Sequence, residues 1–279
     1  MSVFLGGFVM RSVIIAGAAG RMGKRLVDLV NAQPEARVAG ALEHPENPAL
    51  GRDAGEIAGI GTIQVPLVGS LDELVDCEAD VMIDFTAPAA TLANVAWATA
   101  NGVAMVIGTT GLSSDDRRQL TLAAEKIPLV FAPNMSVGVN VLFKVVAEVA
   151  AILGDDFDVE ILEAHHNQKK DAPSGTAVRL GEIVAEVLGR NYPDDAVFAR
   201  QGFTGARSKK EIGMQTLRGG DIVGEHLVMF AGRGERLELI HRAHSRDNFA
   251  AGAVRAALWL KGRGPGLYDM QDVLGLKSA

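Results

Sequence analysis

Ser12-Val-Ile-Ile-Ala-Gly-Ala-Ala-Gly-Arg-Met-Gly23 joins a short apolar, β-branched run to a turn that carries three glycines. The residues from Arg21 to Asn31 repeat apolar side chains at helical spacing, and residues 37–42 form a second apolar run that ends at Glu43. A strand, a glycine turn, a helix and a second strand are typical of the opening unit of a dinucleotide-binding domain. We therefore predict a doubly wound, parallel sheet of the Rossmann type in the first half of the chain.

The spacing Gly17-x-x-Gly20-x-x-Gly23 differs from the common G-x-G-x-x-G, but the physical requirement is similar. A tight turn lets the backbone approach a pyrophosphate, and the helix N-terminus faces the phosphates. Glu43 lies at the end of the second strand, where a carboxylate can accept hydrogen bonds from an adenosine ribose. The alternative is a solvated acid at a strand end. The candidate cofactor-binding residues here are Gly17, Ala18, Ala19, Gly20, Arg21, Met22, Gly23 and Glu43.

Strands and helices continue to alternate beyond this unit. Residues 44–61, which are rich in Pro, Gly and Asn, are predicted to form a loop. The other predicted strands cover residues 65–68, 81–85, 103–107 and 128–132, and the predicted helices cover residues 71–75, 89–101 and 114–126. Parallel neighbours need crossover connections, so this alternation extends the parallel sheet.

The pattern changes after Asn134. The sequence predicts a long helix over residues 137–153 and a strand over residues 158–164. It then predicts two β-rich runs, over residues 222–231 and 235–244, joined by a Gly-Arg-Gly turn, and a last helix over residues 249–260. They favour a second, α+β domain built on a mostly antiparallel sheet.

Glu163-Ala-His-His-Asn-Gln-Lys-Lys-Asp-Ala-Pro-Ser-Gly-Thr-Ala177 concentrates titratable side chains at the end of one of these strands. Histidine changes charge near neutral pH and lysine supplies a cation, so the loop suits anion binding and proton transfer. Residues 171–174 are typical of a helix start, and we expect the amides of Ser174, Gly175 and Thr176 to point outward as donors to a small carboxylate. The alternative is a solvated turn with incidental charge.

This loop closely resembles the signature of the 4-hydroxy-tetrahydrodipicolinate reductase family, also called dihydrodipicolinate reductases. The resemblance covers nearly the whole chain from Ser12 onward. It continues through Gly17-Ala-Ala-Gly-Arg-Met-Gly23, Ile83-Asp-Phe-Thr86, Val106-Ile-Gly-Thr-Thr-Gly111, Asn134-Met-Ser-Val-Gly-Val-Asn140 and Arg218-Gly-Gly-Asp-Ile-Val-Gly-Glu-His226.

The resemblance implies that NAD(P)H reduces a small cyclic, imine-containing dicarboxylate to tetrahydrodipicolinate by hydride transfer to C4 of the ring, in lysine and diaminopimelate biosynthesis. His165 matches the family's general acid/base, and Lys169 matches the cation that stabilises developing charge. The residues at its substrate-binding positions are His166, Ser174, Gly175 and Thr176. The residues that it places at the nicotinamide half of the cofactor are Gly108, Thr109, Thr110, Ala132, Pro133, Asn134 and Met135.

In the resembled family the C-terminal segment returns to the nucleotide domain. We therefore expect residues 1–134 and 246–279 to form a dinucleotide-binding domain, and residues 135–245 to form a substrate-binding and oligomerisation domain. The resemblance also implies a homotetramer joined through the second domain's sheet. Closure of the two domains on their ligands is expected near residues 134–137 and 245–246.

Cofactor choice depends on the residue after Glu43. Some family members carry an arginine there, which can pair with the 2′-phosphate of NADPH, whereas this chain has His44. An unperturbed imidazole is mostly neutral above pH 7 and offers less to a phosphate than a guanidinium does. We expect NADH to be used at least as well as NADPH, with Arg21 or Lys24 as sources of compensating charge.

Composition excludes several classes of function. The chain has 279 residues, a net charge of −7 and 48% hydrophobic residues, with a pI near 5.4, which argues against nonspecific binding to nucleic acid or anionic membranes. No run approaches roughly 18 uninterrupted apolar residues. Cys77 is the only cysteine, so we expect a reducing, cytoplasmic compartment and no metal site. Residues 1–10 lack the features of a signal peptide, and Met10 is an alternative start.

Two other functions are compatible with parts of the sequence. Another Rossmann-type dehydrogenase would share the glycine turn but not the histidine loop, and an aldehyde dehydrogenase would need a nucleophilic cysteine in its second domain. A dinucleotide sensor without catalysis would keep the same fold.

Overall fold

The computed structural model describes residues 10–277. The interpretation of residues 1–9 therefore lies outside the described part of the chain. Two compact units are present: one runs to Ser136 and resumes at Asp247, and the other is Val137–Arg246.

Strands and helices are each numbered in chain order. The strands are β1 (Arg11–Ala16), β2 (Ala36–Leu42), β3 (Leu67–Val68), β4 (Val81–Asp84), β5 (Ala104–Ile107), β6 (Pro128–Phe131), β7 (Asp158–His165), β8 (Ala196–Val197), β9 (Ile212–Arg218), β10 (Gly224–Ala231), β11 (Arg236–Ala243) and β12 (Gly266–Tyr268). The α-helices are α1 (Arg21–Asn31), α2 (Ala54–Ala58), α3 (Pro88–Asn101), α4 (Ser114–Ala124), α5 (Val137–Leu153), α6 (Gly175–Leu188), α7 (Asp247–Trp259) and α8 (Met270–Leu274). Two short 3₁₀ helices cover Leu71–Cys77 and Gly154–Asp156.

The first unit is built on a seven-stranded sheet in the order β12-β6-β5-β4-β1-β2-β3. Every neighbouring pair is parallel, and a core cluster lies on each face. Strands buried on both faces must be apolar along their whole length, which is why β1 and β5 read as continuous apolar runs. The Rossmann-type sheet predicted from the sequence is confirmed.

Several elements of this unit differ from the sequence predictions. The helix predicted at 71–75 is a 3₁₀ helix, and the predicted loop 44–61 contains the short helix α2. The carboxylate of Asp53 orders this loop because it accepts hydrogen bonds from four backbone amides, two at the start of α2 and two further along. Strand β12, which was not predicted from the sequence, extends the sheet beside β6.

The second unit contains a five-stranded sheet in the order β11-β10-β7-β9-β8. The pairs made by β10 are antiparallel, whereas β7–β9 and β8–β9 are parallel. The prediction of a mostly antiparallel sheet is therefore not confirmed, because this sheet is mixed. The parallel pair arises since the chain crosses over through α6 between β7 and β9.

Helices α5 and α6 pack together over one face of this sheet and enclose its core. Among residues 10–277, one helical segment, Val137–Asp156, is long and apolar enough to cross a membrane by length and composition, with a mean hydropathy of 1.9. Length and composition are weak evidence of a span, because the core helix of a globular protein passes the same test. Leu142, Val146 and Ala150 of this helix are buried in the core of the second unit.

Candidate active site

The glycine turn lies at the carboxyl end of β1, between β2 and β4. Gly17 has a φ of 72°, which favours glycine, and Gly20 caps α1 without a side-chain hydrogen bond. A Cβ at Gly23 would overlap the carbonyl oxygen of Gly17 and lie 2.6 Å from the Cα of Ala18. The turn therefore packs directly on the helix, whose first amides have no intrahelical acceptor and can meet an anion.

The carboxylate of Glu43 accepts hydrogen bonds from two backbone amides, one of which lies in this turn. Its Oε2 accepts from the amide of Ala19 at 2.9 Å, and its Oε1 accepts from the amide of His44 at 2.9 Å. The Nδ1 of His44 in turn accepts from the amide of Glu46 at 3.3 Å. Glu43 is thus a fixed carboxylate at the rim of the turn, with capacity left to accept from a ligand hydroxyl.

The other predicted cofactor residues follow β5 and β6, whose carboxyl ends lie at the same edge of the sheet. Ala132 is buried and its amide donates to Ile107 at 3.1 Å. The side chains of Thr109 and Met135 are also buried, and Met135 belongs to the core. Contacts of these two residues with a ligand are therefore limited to their backbone. The remaining predicted residues of this group, Gly108, Thr110, Pro133 and Asn134, lie in the same two strand-to-helix connections.

Asp84 lies at the end of β4, within the motif Ile83-Asp-Phe-Thr86. It is fully buried, and its carboxylate accepts from Asn94 at 2.8 Å and from the hydroxyl and amide of Thr86 at 2.6 and 2.8 Å. The hydroxyl of Thr109 also donates to it at 3.3 Å, and that of Thr91 donates to Thr109 at 2.8 Å. One carboxylate thus ties the ends of β4 and β5 to α3.

Strand β7, which ends at His165, carries a second buried carboxylate, Glu163, which is 1% exposed. Arg218 binds it through two parallel hydrogen bonds of 2.8 and 2.9 Å, and Nδ1 of His165 lies 2.6 Å from its Oε2. Burial opposes ionisation, but hydrogen bonds from His165, Arg218 and the amide of Ser174 outweigh it and lower the pKa of Glu163 to about 2. The group is therefore an anion at neutral pH.

His226, on β10 opposite Glu163, lies edge-on to His165 with 5.3 Å between ring centroids. Its Nε2 lies 3.1 Å from the hydroxyl of Ser174. Burial, together with repulsion from His165, lowers the pKa of His226 to about 3, so this ring is neutral beside its neighbour.

Ser174 caps α6, and its hydroxyl accepts from the amide of Ala177 at 3.2 Å. Its own amide donates to Oε1 of Glu163 at 3.0 Å. The expectation that this amide points outward is therefore wrong, because the buried carboxylate binds it. Gly175 and Thr176 begin the first turn of α6, and a Cβ built at Gly175 meets no atom within 4 Å. Open space thus remains at the start of the helix.

Lys169 lies in the loop between β7 and α6. Its Nζ is 2.9 Å from both carboxylate oxygens of Asp171, and this hydrogen bond lowers the pKa of Asp171. The backbone of His166 ties the loop to the rest of the unit, because its amide donates to Ile222 at 2.7 Å and its carbonyl accepts from Lys169 at 3.1 Å. Within residues 10–277, no group of three or more His, Cys, Asp or Glu side chains is placed to hold a metal ion.

The predicted residues therefore form two groups, one in each unit. The glycine turn, Glu43 and the ends of β5 and β6 share an edge of the first sheet, while residues 163–176 surround the end of β7 in the second. Sequence reasoning missed Glu163, Arg218 and His226 as site residues. The two motifs that contain them were visible, but no local signal shows that they meet.

This fold and the glycine turn define a dinucleotide-binding protein of the Rossmann class. Two family models match the chain: dihydrodipicolinate reductase, N-terminus, over residues 11–135, and dihydrodipicolinate reductase, C-terminus, over residues 138–274. The chain belongs to the dihydrodipicolinate reductase family, and the resemblance found in the sequence is confirmed.

Individual relatives agree with this assignment. Proteins named 4-hydroxy-tetrahydrodipicolinate reductase from Syntrophotalea carbinolica and Hahella chejuensis are 57% and 56% identical over 268 residues, which are 96% of this chain and 100% of each relative. A solved structure, dipicolinate-bound dihydrodipicolinate reductase from Paenisporosarcina sp. TG-14, has 27% identity and a TM-score of 0.72 over 94% of this chain and 98% of that chain. GenD2 from gentamicin A biosynthesis, in complex with NAD, shares the fold at 15% identity, with a TM-score of 0.61 over 99% of this chain and 94% of that chain.

Proposed function

We propose that the protein reduces 4-hydroxy-tetrahydrodipicolinate to tetrahydrodipicolinate in lysine and diaminopimelate biosynthesis. In the net reaction the hydroxyl at C4 leaves as water, a hydride from NAD(P)H forms the new bond at C4, and one proton is consumed. The observation that carries the proposal is the arrangement at the end of β7, where His165 lies within hydrogen-bond reach of a buried carboxylate that also binds the start of α6.

His165 is the general acid/base in this proposal. Imidazole exchanges a proton near neutral pH, and the ring is held on one side by Glu163. Lys169 supplies the cation that stabilises negative charge on the substrate as the hydride arrives. Asp171, whose side chain is 63% exposed, holds the ammonium group until a substrate carboxylate replaces it.

The two substrate carboxylates are bound by complementary groups of the same loop. One meets the start of α6, where Gly175 and Thr176 offer a helix N-terminus without an obstructing side chain at the first position. The other meets the part of the loop that carries Lys169 and His166. Ser174 contributes by holding the helix start in place rather than by donating its amide.

The cofactor binds at the glycine turn and supplies the hydride. We propose that NADH is used at least as well as NADPH. Glu43 is fixed by the amides of Ala19 and His44, so it favours a ribose hydroxyl and repels a 2′-phosphate. His44 offers no guanidinium to pair with such a phosphate, and its Nδ1 accepts a hydrogen bond from the amide of Glu46.

We also propose that the protein assembles as a homotetramer through the second sheet. Its helices cover one face only, and strand pairing places Ile240, Leu227 and Leu162 in one row on the opposite face. Ile240 is 41% exposed. Covering an apolar row of this kind is the usual driving force for association.

A coupled assay with freshly generated substrate tests the function. We expect oxidation of NADH or NADPH, followed by absorbance, only when the cyclic substrate is supplied. Binding of NADH without turnover would favour a sensor. Oxidation that depends on a different substrate class would favour another Rossmann-type dehydrogenase.

A further inference from the structure

Glu163 makes more hydrogen bonds than a side chain needs merely to be satisfied. Its Oε2 contacts His165 Nδ1 at 2.6 Å and Arg218 at 2.8 Å. Its Oε1 accepts from Arg218 at 2.9 Å, the amide of Ser174 at 3.0 Å and the hydroxyl of Thr216 at 3.2 Å. These five contacts use the lone-pair sites of the two oxygens, and they come from β7, β9 and the start of α6.

An ionised carboxylate can only accept hydrogen bonds. Because Glu163 is an anion paired with Arg218, the nitrogen of His165 that faces it must carry a proton. In the neutral imidazole the lone pair is then on Nε2. The carboxylate therefore selects one of the two tautomers.

The Nε2 edge of His165 faces Gly224. A Cβ built on Gly224 would lie 3.1 Å from Nε2, so the glycine leaves this edge uncrowded. The charged or titratable groups next to the ring include Glu163 on its own strand, Arg218 on β9 and the neutral His226 on β10, while Lys169 and Asp171 lie in the loop that follows β7.

We propose that Glu163 is a positioning residue whose carboxylate fixes His165 with its proton on Nδ1 and, through its other oxygen, holds the Ser174 turn at the start of α6. The inference rests on the proposed function, because it assigns Nε2 as the atom that exchanges the proton. It couples the acid/base group to the carboxylate-binding turn through one anion.

Glu163→Gln tests this coupling. The amide keeps the shape but can present an N–H to Nδ1, which favours the opposite tautomer. We expect kcat to fall at least about tenfold with unchanged affinity for NADH.

The double variant Glu163→Gln/His165→Gln separates positioning from a general structural role. If Glu163 acts through His165, the kcat of the double variant equals that of His165→Gln alone. A further independent loss in the double variant overturns the inference, and so does wild-type turnover in Glu163→Gln.

Long-range ¹H–¹⁵N spectra of histidine-labelled wild-type protein read the tautomer directly, even if Glu163→Gln does not fold. Comparison with His165→Gln assigns the signals. A proton on Nδ1 and a bare Nε2 at high pH are expected, and the Nε2–H tautomer overturns the inference. Near-wild-type turnover of His165→Gln would overturn the proposed role of His165 and this inference together, whereas loss in His165→Gln without loss in Glu163→Gln would overturn this inference alone.

Discussion

Glu43 directly follows strand β2, and Glu163 lies within strand β7. The groups around the two carboxylates suit them to different tasks. Glu43 accepts from two neutral backbone amides at the rim of the glycine turn. Glu163 is buried and paired with Arg218 through two parallel hydrogen bonds. The first arrangement suits recognition of a neutral hydroxyl, whereas the second keeps a permanent anion beside an imidazole.

The first prediction concerns the proposed catalytic residues, His165 and Lys169. His165→Gln and Lys169→Ala should each lower kcat by about 10²- to 10⁴-fold, because each removes a group that moves a proton or stabilises charge in the transition state. Affinity for NADH, measured by fluorescence titration, should stay unchanged. Lys170→Ala, which removes an exposed lysine next in the chain, is the matched control and should retain full turnover. Near-normal turnover in either test variant would remove that residue from the assignment.

The second residue-scale prediction concerns His44. We expect kcat/KM with NADH to be at least equal to that with NADPH at pH 7.5, because Glu43 repels a 2′-phosphate and a neutral imidazole does not compensate. His44→Arg should raise kcat/KM for NADPH relative to NADH at least about tenfold by adding a guanidinium beside the phosphate. A wild-type preference for NADPH of about tenfold, equal to about 1.4 kcal/mol, would show that charge elsewhere decides cofactor choice.

At the scale of elements, α1 and α6 begin in different ways. α1 begins after Gly20, which has no side-chain cap, and Gly23 packs against the backbone of the turn. α6 begins after Ser174, whose hydroxyl caps the helix and whose amide is bound by Glu163. The bare start suits the close approach of a pyrophosphate, and the capped start suits a rigid platform for a smaller anion.

The close packing of α1 gives the third prediction. Gly23→Ala should raise the Kd for NADH at least about tenfold, because overpacking typically costs about 1–3 kcal/mol and the new Cβ overlaps backbone atoms that cannot rotate away. Gly264→Ala is the matched control, since a Cβ there meets no atom within 4 Å. Equal NADH affinity in both variants, measured by calorimetry, would contradict this account of the turn.

At the scale of the whole molecule, the second sheet has helices on one face only. Its opposite face carries the row formed by Ile240, Leu227 and Leu162 across β11, β10 and β7. The charged side chains Glu225 and Arg242, paired at 3.1 Å, lie on the same face. An apolar centre with a charged border is the usual anatomy of a protein interface.

The fourth prediction tests assembly through this face. Leu227→Glu should lower the mass measured by size-exclusion chromatography with light scattering, because it places a carboxylate in the centre of the proposed interface. Leu122→Glu makes the same change at a leucine that is 55% exposed in the first unit, and it should leave the mass unchanged. The same mass for both variants and the wild type would argue against this face as the interface.

The sequence by itself determined the architecture of the first sheet and the position of the glycine turn. Alternating apolar runs, helical spacing and glycines are short-range properties, because the burial of a strand is visible in the pattern of a few consecutive residues. The same reasoning located the histidine loop and the start of α6, because helix-start residues act on amides only two or three positions away. Local signals did not separate a 3₁₀ from an α-helix at Leu71–Cys77.

Only the tertiary structure decided which distant side chains meet. The parallel pairing of β7 with β9 made the second sheet mixed and brought Thr216 and Arg218 to Glu163, over separations of 53 and 55 residues. The antiparallel pairing of β10 with β7 brings His226 to Ser174 across 52 residues. Strand order and register arise from packing of the whole core and not from local spacing, so the buried anion that orients His165 could be recognised only after the chain had folded.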